Sequence, residues 1–326
     1  VSGKNITATW SSAMHAEIVE RMQAHGFDPA YRDNWHKLFD NDAQNLLKKR
    51  LLTSDTHAAI SEALGDFALH GVSRIVKEFQ GELIYAGGDD VCAVLPVSTA
   101  LQAARKIREY YRAGFKFVGP DGVPEDVDGS FTCRPGKLSI HMGKACTISA
   151  GILICHHKEP LSGMIRQAEH LLNHFAKKQC DRDACAIELR KRSGGSRYFM
   201  ARWDDMNEFN KENIWDSFQK LWTDKTMPKE PGIGKSLLYR FSSLKDGFQA
   251  VIDGPENDFT ERARKLVTFQ AKRTLGINAE KEAEKLARVS NRLAGLIFER
   301  TAGGKPCFMP ERLIVSEFLW PREDNQ

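Results

Sequence analysis

The sequence lacks the cysteine patterns that build disulfide frameworks or zinc sites. Its seven cysteines are odd in number and scattered over 326 residues, and no Cys-x-x-Cys pair occurs. Cys180 and Cys185 are the two nearest in sequence, but no second pair accompanies them. Disulfide-rich secreted domains and structural zinc modules both need such patterns. We therefore expect free thiols and a reducing, cytoplasmic location.

The sequence also lacks a long apolar run and a strong excess of one charge. Spanning a bilayer takes about 20 consecutive apolar residues, and no stretch here approaches that length. Lysine and arginine number 47 and aspartate and glutamate 43, which leaves a net charge of +4. This balance permits an anionic partner without requiring one. We expect a globular protein of two domains with no membrane partner.

One stretch of the chain, residues 81–96, has the pattern of a β-hairpin with an acidic tip. Two short apolar runs flank Gly87, Gly88, Asp89 and Asp90. Glycine tolerates the positive φ that a tight hairpin turn requires, so the four residues predict the turn. Adjacent carboxylates repel each other unless a cation lies beside them, and Mg²⁺ is commonly bound by one or two carboxylates plus a substrate phosphate. Taken alone, the tip fits a metal–nucleotide site and an exposed acidic turn equally well.

Hydrophobic periodicity around this hairpin predicts a compact α+β unit. The predicted elements, in chain order, are a helix over 57–79, the two hairpin strands, a helix after Pro96, a strand over 147–154, a helix opening at Pro160, and strands over 184–189 and 197–203. A ferredoxin-like βαββαβ unit is the nearest common architecture, but it needs a strand before its first helix. No strand-like run occurs between Asn5 and Ser54. Leaving out a central strand would expose backbone groups on both neighbours, so we expect this strand upstream of Val1.

Composition divides the whole chain into three predicted regions. Residues 1–55 form a polar helical insertion, residues 56–204 the α+β unit, and residues 205–326 an all-α C-terminal domain. Residues 114–143 are rich in glycine, proline and aspartate, which predicts a long loop within the second region.

Several motifs in this order resemble the palm domain in the large subunit of type III CRISPR effector complexes, a polymerase-cyclase related to the GGDEF cyclases. The likeness is strongest to the Cmr, or III-B, branch, and it covers roughly residues 53–203. The helical tail also resembles that family's C-terminal domain. The motifs that carry the resemblance are His57-Ala58-Ala59-Ile60-Ser61, Gly87-Gly88-Asp89-Asp90 with its flanking strands, Ser149-Ala150-Gly151-Ile152, Pro160-Leu161, and Lys191-Arg192-Ser193-Gly194.

The resemblance implies a subunit that makes cyclic oligoadenylate from ATP, for antiviral defence, once its complex has bound target RNA. Asp89 and Asp90 would be the catalytic, metal-binding residues, with Mg²⁺ or Mn²⁺ as the metal. Gly87 and Gly88 would let the triphosphate approach the backbone. The implied partners are the other subunits of the complex, the guide RNA and the target RNA. The family's upstream acidic metal ligand is not in this chain, and no His-Asp dipeptide of a nuclease domain occurs.

Two further residues are candidates for nucleotide binding because of the same resemblance. Lys177 ends a predicted helix where GGDEF-type cyclases place a phosphate-binding lysine, although a cation that stabilises a helix C-terminus explains it equally well. Ser61 stands where those cyclases keep an acidic guanine-reading residue, and serine there suits adenine. An ordinary surface serine remains the alternative.

Two other functions remain open. The first is a GGDEF-type diguanylate cyclase. Two features argue against it: Asp90 replaces the usual glutamate, and the guanine-reading acid is absent. The second is a scaffold subunit with an inactive palm, which would bind RNA and helical subunits without catalysis.

Overall fold

The structure, a computed structural model, describes part of the chain. It covers residues 54–113, 115–120, 124–126, 136–144, 146–223, 243–253, 258–275, 283–300 and 305–319, and isolated positions before residue 54 and between 237 and 241. The predicted helical insertion over 1–55 and the predicted upstream strand therefore lie almost wholly outside the described residues. Within the described part, no helix is long and apolar enough to cross a membrane.

The chain divides into two compact units, each built from more than one segment. The first unit comprises Val1–Ile75, Leu83–Ala93 and Glu109–Cys146, and the second comprises Val76–Glu82, Val94–Arg108 and Thr147–Gln326. The hairpin tip belongs to the first unit. The second unit contains the largest sheet and the C-terminal helices.

The first long helix, α1, matches the predicted helix before the hairpin. It begins as an α-helix over Ser54–Asp66, widens into a π-helix over Phe67–Val72 and closes as an α-helix over Ser73–Glu78. The apolar stripe of the sequence forms its buried face, with Phe67 and Val72 almost fully buried. The Tyr111 ring packs edge-on against Phe67, with ring centroids 5.0 Å apart. The helix period was thus predicted correctly, whereas the π-helical turn was not.

The hairpin follows as strands β1, Glu82–Gly87, and β2, Asp90–Val94. Helix α2, Val97–Tyr111, comes next, as the pattern after Pro96 predicts. The two strands pair only with each other within the described part of the chain. The strand expected upstream of Val1 remains a prediction.

Within residues 114–143, where the sequence predicts a long loop, the described residues include three short strands of a small sheet. Strands β3, Phe115–Val118, β4, Pro124–Asp126, and β5, Lys137–Ile140, pair antiparallel in the order β4-β3-β5. The prediction of a loop was wrong over these three strands, because strands of three or four residues are too short to show a period. Turn-forming glycine, proline and aspartate dominate the composition around them.

The larger sheet has the order β6-β7-β8. Its strands are Ala150–Ile154, Ala184–Arg190 and Ser196–Arg202. Strand β6 is parallel to β7, and β7 is antiparallel to β8. Helix α3 connects the parallel pair; it is α-helical over Leu161–His170 and π-helical over Leu171–Gln179. Strand β7 is the central strand and is buried along almost its whole length.

Beyond residue 204 the described chain is mainly helical, as expected. Its helices are α4, Ile214–Thr223, α5, Lys245–Asp253, α6, Phe259–Leu275, α7, Ala283–Ile297, and α8, Glu311–Leu319. A short antiparallel hairpin of β9, Phe298–Arg300, and β10, Pro306–Phe308, interrupts them. The prediction of an all-α C-terminal domain did not include this hairpin. Its three-residue strands are again too short to give a periodic signal.

Candidate functional site at the acidic hairpin

The hairpin turn has the geometry that the sequence predicts. Strand β1 ends at Gly87, β2 begins at Asp90, and Gly88 and Asp89 are the two turn residues between them. Gly88 has a φ of 63°, whereas the φ of Asp89 is not positive. A positive φ at the first central residue alone is the pattern of a type II′ turn, which favours glycine there and matches the twist of the strands. The turn therefore presents the two carboxylates at the hairpin tip.

The two carboxylates differ in their surroundings. Asp90 is exposed, and within the described residues its side chain makes no hydrogen bond or ion pair. Asp89 is half-buried and lies near Tyr111 of α2. Burial raises the pKa of the Tyr111 phenol, and the nearby Cys146 thiol and Asp89 carboxylate raise it further. Asp90 is therefore the more accessible carboxylate for a cation.

The donor atoms at the tip suit a hard divalent cation. Carboxylate oxygens are the ligands that Mg²⁺ prefers, and Mg²⁺ commonly takes one or two of them together with substrate phosphates. Among the described residues, no group of three or more histidine, cysteine, aspartate or glutamate side chains could hold a metal ion. If a metal binds at the tip, Asp89 and Asp90 would supply two of its donors, and a nucleotide or another acidic residue would have to add the remaining ligands.

Gly87 lies against the side chain of Tyr85. The ring of Tyr85 lies where a side chain at position 87 would begin: its Cζ is 2.7 Å from the place of a Cβ atom, and its hydroxyl is closer still. At Gly88, by contrast, a Cβ would meet open space. Gly88 therefore serves the backbone turn, whereas Gly87 leaves room for the tyrosine.

Ser61 lies on the exposed surface of α1, in the same compact unit as the hairpin tip. Its hydroxyl makes no hydrogen bond within the described residues. It is thus accessible to a ligand, and its role in reading the base stays a prediction.

Lys177 lies in the π-helical end of α3, in the second compact unit. Lys177 and Lys178 are the basic residues of the last turn, as the sequence predicts. Lys177 is half-buried and makes no ion pair in the described part of the chain. A role in binding phosphate and a role at the helix C-terminus both remain open.

Two tyrosines near the tip were missed by sequence reasoning. Tyr85 could have been found, because residues two apart in a strand share one face of the sheet. Tyr111 could not, because its approach to Asp89 depends on how α2 packs in the folded unit. No local sequence pattern reports that packing.

The hairpin lies in a segment of the chain that is similar to known proteins. Residues 32–186 match the sequence model of the Cas10/Cmr2 second palm domain. The CRISPR system Cmr subunit Cmr2 of Pyrococcus furiosus is 36% identical over 187 residues, which cover 57% of this chain and 18% of that protein. The chain therefore spans less than a fifth of the length of this relative.

A solved structure is also similar, the cryo-EM structure of the type III-B Cmr-beta bound to cognate target RNA. It matches 78% of this chain and 25% of its own chain, with 22% identity and a TM-score of 0.49.

The family match confirms the resemblance and the palm fold that the motifs predict, and it includes all four residues of the hairpin tip. Residues 32–186, slightly less than half of this chain, are therefore similar to the second palm domain of Cas10/Cmr2 proteins.

Proposed function

We propose that this chain provides the nucleotidyltransferase palm of the large subunit of a type III-B CRISPR effector complex and makes cyclic oligoadenylate from ATP. The observation that carries the proposal is the acidic turn Gly87-Gly88-Asp89-Asp90 at the tip of a hairpin inside the matched palm segment. The family relative is a Cmr subunit. This supports the other subunits of such a complex, with its guide and target RNA, as partners.

The chemistry assigned to the site is a phosphoryl transfer. The oxygen of a 3′-hydroxyl forms a bond to the α-phosphorus of ATP, the bond from that phosphorus to the bridging oxygen breaks, and pyrophosphate leaves. The hydroxyl proton passes to water. Bound Mg²⁺ or Mn²⁺ would stabilise charge on the attacking and leaving oxygens.

The residues of this chain hold and orient the reactants. Asp90 offers an exposed carboxylate that needs no rearrangement to accept a cation. Asp89 is half-buried, and Tyr111 lies near it. Ser61 would contact the adenine and Lys177 a phosphate, as the resemblance implies. Gly88 permits the turn that puts Asp89 and Asp90 at the hairpin tip, where both carboxylates would bind the metal.

The test uses the complete complex with ATP, Mg²⁺ or Mn²⁺, and target RNA. We expect cyclic oligoadenylate from the wild-type complex and a loss of at least a hundredfold when Asp89 and Asp90 are both changed to alanine. Glu82→Gln is the matched control, because this exposed acid lies in the same hairpin at the far end of β1. The control should retain activity.

Other outcomes would favour other functions. Absence of product from wild-type complex that still binds RNA would support the scaffold function. The lack of a third acidic ligand among the described residues keeps that alternative open. Turnover of GTP in preference to ATP would indicate a diguanylate-type cyclase.

A further inference from the structure

Tyr85 is an aromatic residue of strand β1 and lies beside the acidic turn. Its side chain is 55% exposed, although tyrosine is a large and partly apolar residue. Instead of pointing straight away from the strand, the ring folds along it and covers Gly87. Within the described residues, the hydroxyl has no hydrogen-bond partner. A donor is thus held next to the tip and is free to bind a ligand.

The hairpin geometry puts this donor on the same face as Asp90. Because the turn has two residues, Gly87 and Asp90 lie opposite each other on the paired strands. Side chains two apart in a strand share a face, so Tyr85 and Gly87 are on that face too. The phenol and the exposed carboxylate therefore flank the same small area, in which Gly87 contributes only backbone.

A phenol and a carboxylate so arranged suit a metal-bound phosphate. The carboxylate accepts a cation, and the phenolic O–H donates to an anionic oxygen that the cation holds. We propose that Tyr85 is a further residue of the nucleotide site, and that its hydroxyl donates a hydrogen bond to a phosphate oxygen of a nucleotide held at Asp90. This inference rests on the proposed function and adds a positioning residue to it.

The same arrangement gives Gly87 a specific role. Any side chain at position 87 would meet the Tyr85 ring and push it away from the tip. Gly87 is thus required because it leaves room for Tyr85, and not only because a phosphate approaches its backbone. The two residues should act as one unit, which a pair of substitutions can reveal.

The first experiment measures binding of ATP with Mg²⁺ to the complete protein by equilibrium dialysis. Tyr85→Phe removes the hydroxyl and keeps the ring, so we expect about a tenfold rise in the dissociation constant, typical of one hydrogen bond to a charged group. Tyr198→Phe is the matched control, because that ring stacks on Phe175 at 5.2 Å in the larger sheet. It should bind as the wild type does.

Measuring ATP binding to the Asp90→Asn variant distinguishes an error in the role of Tyr85 from an error in the proposed function. If Asp90→Asn weakens binding and Tyr85→Phe does not, the role of Tyr85 is wrong and the metal–nucleotide site stands. If the wild-type protein binds no ATP in the presence of Mg²⁺, the proposed function fails and the inference fails with it.

The second experiment repeats the measurement in a Gly87→Ala background. Since the alanine displaces the ring, the tenfold effect of Tyr85→Phe should shrink to less than twofold there. Equal effects of Tyr85→Phe with glycine and with alanine at position 87 would overturn the placement of the hydroxyl above Gly87.

Discussion

At the scale of single residues, the conformation of Gly88 is the feature most directly open to test. Its φ of 63° lies in the left-handed region, and a Cβ atom there would meet nothing within 4 Å. The cost of a side chain at this position is therefore conformational and not steric. For residues other than glycine that cost is about 1–2 kcal/mol.

We predict that Gly88→Ala lowers the free energy of unfolding by about 1 kcal/mol, and that Gly88→Asn lowers it by less because asparagine tolerates this region better. Urea denaturation followed by circular dichroism measures both. Gly163→Ala is the control: Gly163 lies in helix α3 with an ordinary φ and open space around its Cβ position. That change should stabilise the helix by roughly 0.5–1 kcal/mol. Equal effects at the two positions would contradict the argument from φ.

At the scale of elements, a buried ion pair connects α2 to the start of β7. The guanidinium of Arg108 binds Asp183 through two hydrogen bonds of 3.0 Å, and their side chains are only 12% and 10% exposed. Arg108 also contacts Asp204 at 2.7 Å, but that carboxylate is 67% exposed. Asp183 ends a run of three residues with positive φ, Asp181 to Asp183, and its carbonyl accepts the N–H of Trp203. It thus fixes the connection between α3 and β7.

We predict that Asp183→Asn destabilises the protein by about 2–3 kcal/mol, because it leaves the buried Arg108 without its best partner. Asparagine keeps the backbone conformation, so the change reports the lost charge. Asp204→Asn should cost about 1 kcal/mol or less, since exposed ion pairs contribute little. Chemical denaturation of both variants measures the difference, and an Asp204→Asn effect as large as that of Asp183→Asn would refute it.

Some helices and strands could be predicted from the sequence, and others could not. Helices α1, α2 and α3 and strands β7 and β8 were predicted because each repeats its apolar residues over several turns or alternations. The π-helical turns at Phe67–Val72 and Leu171–Gln179 have no comparable pattern in the sequence. The apolar spacing that marks a helix does not distinguish hydrogen bonds to the fifth residue from those to the fourth.

Part of the candidate site could likewise be predicted from the sequence, and part could not. Its turn was predictable because glycine and aspartate are typical of tight turns, in which a residue must adopt a positive φ. The burial of Asp89 near Tyr111 depends on residues more than twenty positions apart in sequence, and local patterns carry no information about it.

At the scale of the whole molecule, one hydrophobic cluster extends across the predicted domain boundary at residue 204. Ile187 and Phe199 of the larger sheet belong to the same cluster as Phe218 and Leu293 of the C-terminal helices. The composition changes at residue 204 because strands give way to helices, but burial does not stop there. The sequence shows the change of elements and cannot show that they share a core.

A polar network accompanies this shared core in the segment between β8 and α4. Glu212 accepts hydrogen bonds from Arg292 of α7 at 3.3 Å, from Ser217 of α4 at 3.3 Å and from Asn210 at 3.0 Å. Lys220 lies 3.5 Å from the same carboxylate. Burial alone would raise the pKa of Glu212, but the hydrogen bond and charge of Arg292, with the charge of Lys220, hold the pKa below its usual range.

This lowered pKa makes the stability of the molecule depend on pH. A carboxyl whose pKa is lower in the folded than in the unfolded state stabilises the fold above its unfolded pKa of about 4.5. That contribution is lost as the pH falls through the lower, folded value. We predict that Glu212→Gln lowers the free energy of unfolding by about 1–2 kcal/mol at pH 7, and that the difference from wild type shrinks steadily below pH 4.5.

Urea denaturation of both proteins at several pH values between 3 and 7 measures this dependence. Glu261→Gln is the control: the pKa of Glu261 is also lowered, by its hydrogen bond to Lys265 and the lysine charge, but that pair is fully exposed on helix α6. Water screens it, so its removal should change the pH dependence far less. A difference between Glu212→Gln and wild type that stayed constant from pH 7 to pH 3 would show that the network acts through packing alone, because only a titrating charge makes the difference vary with pH.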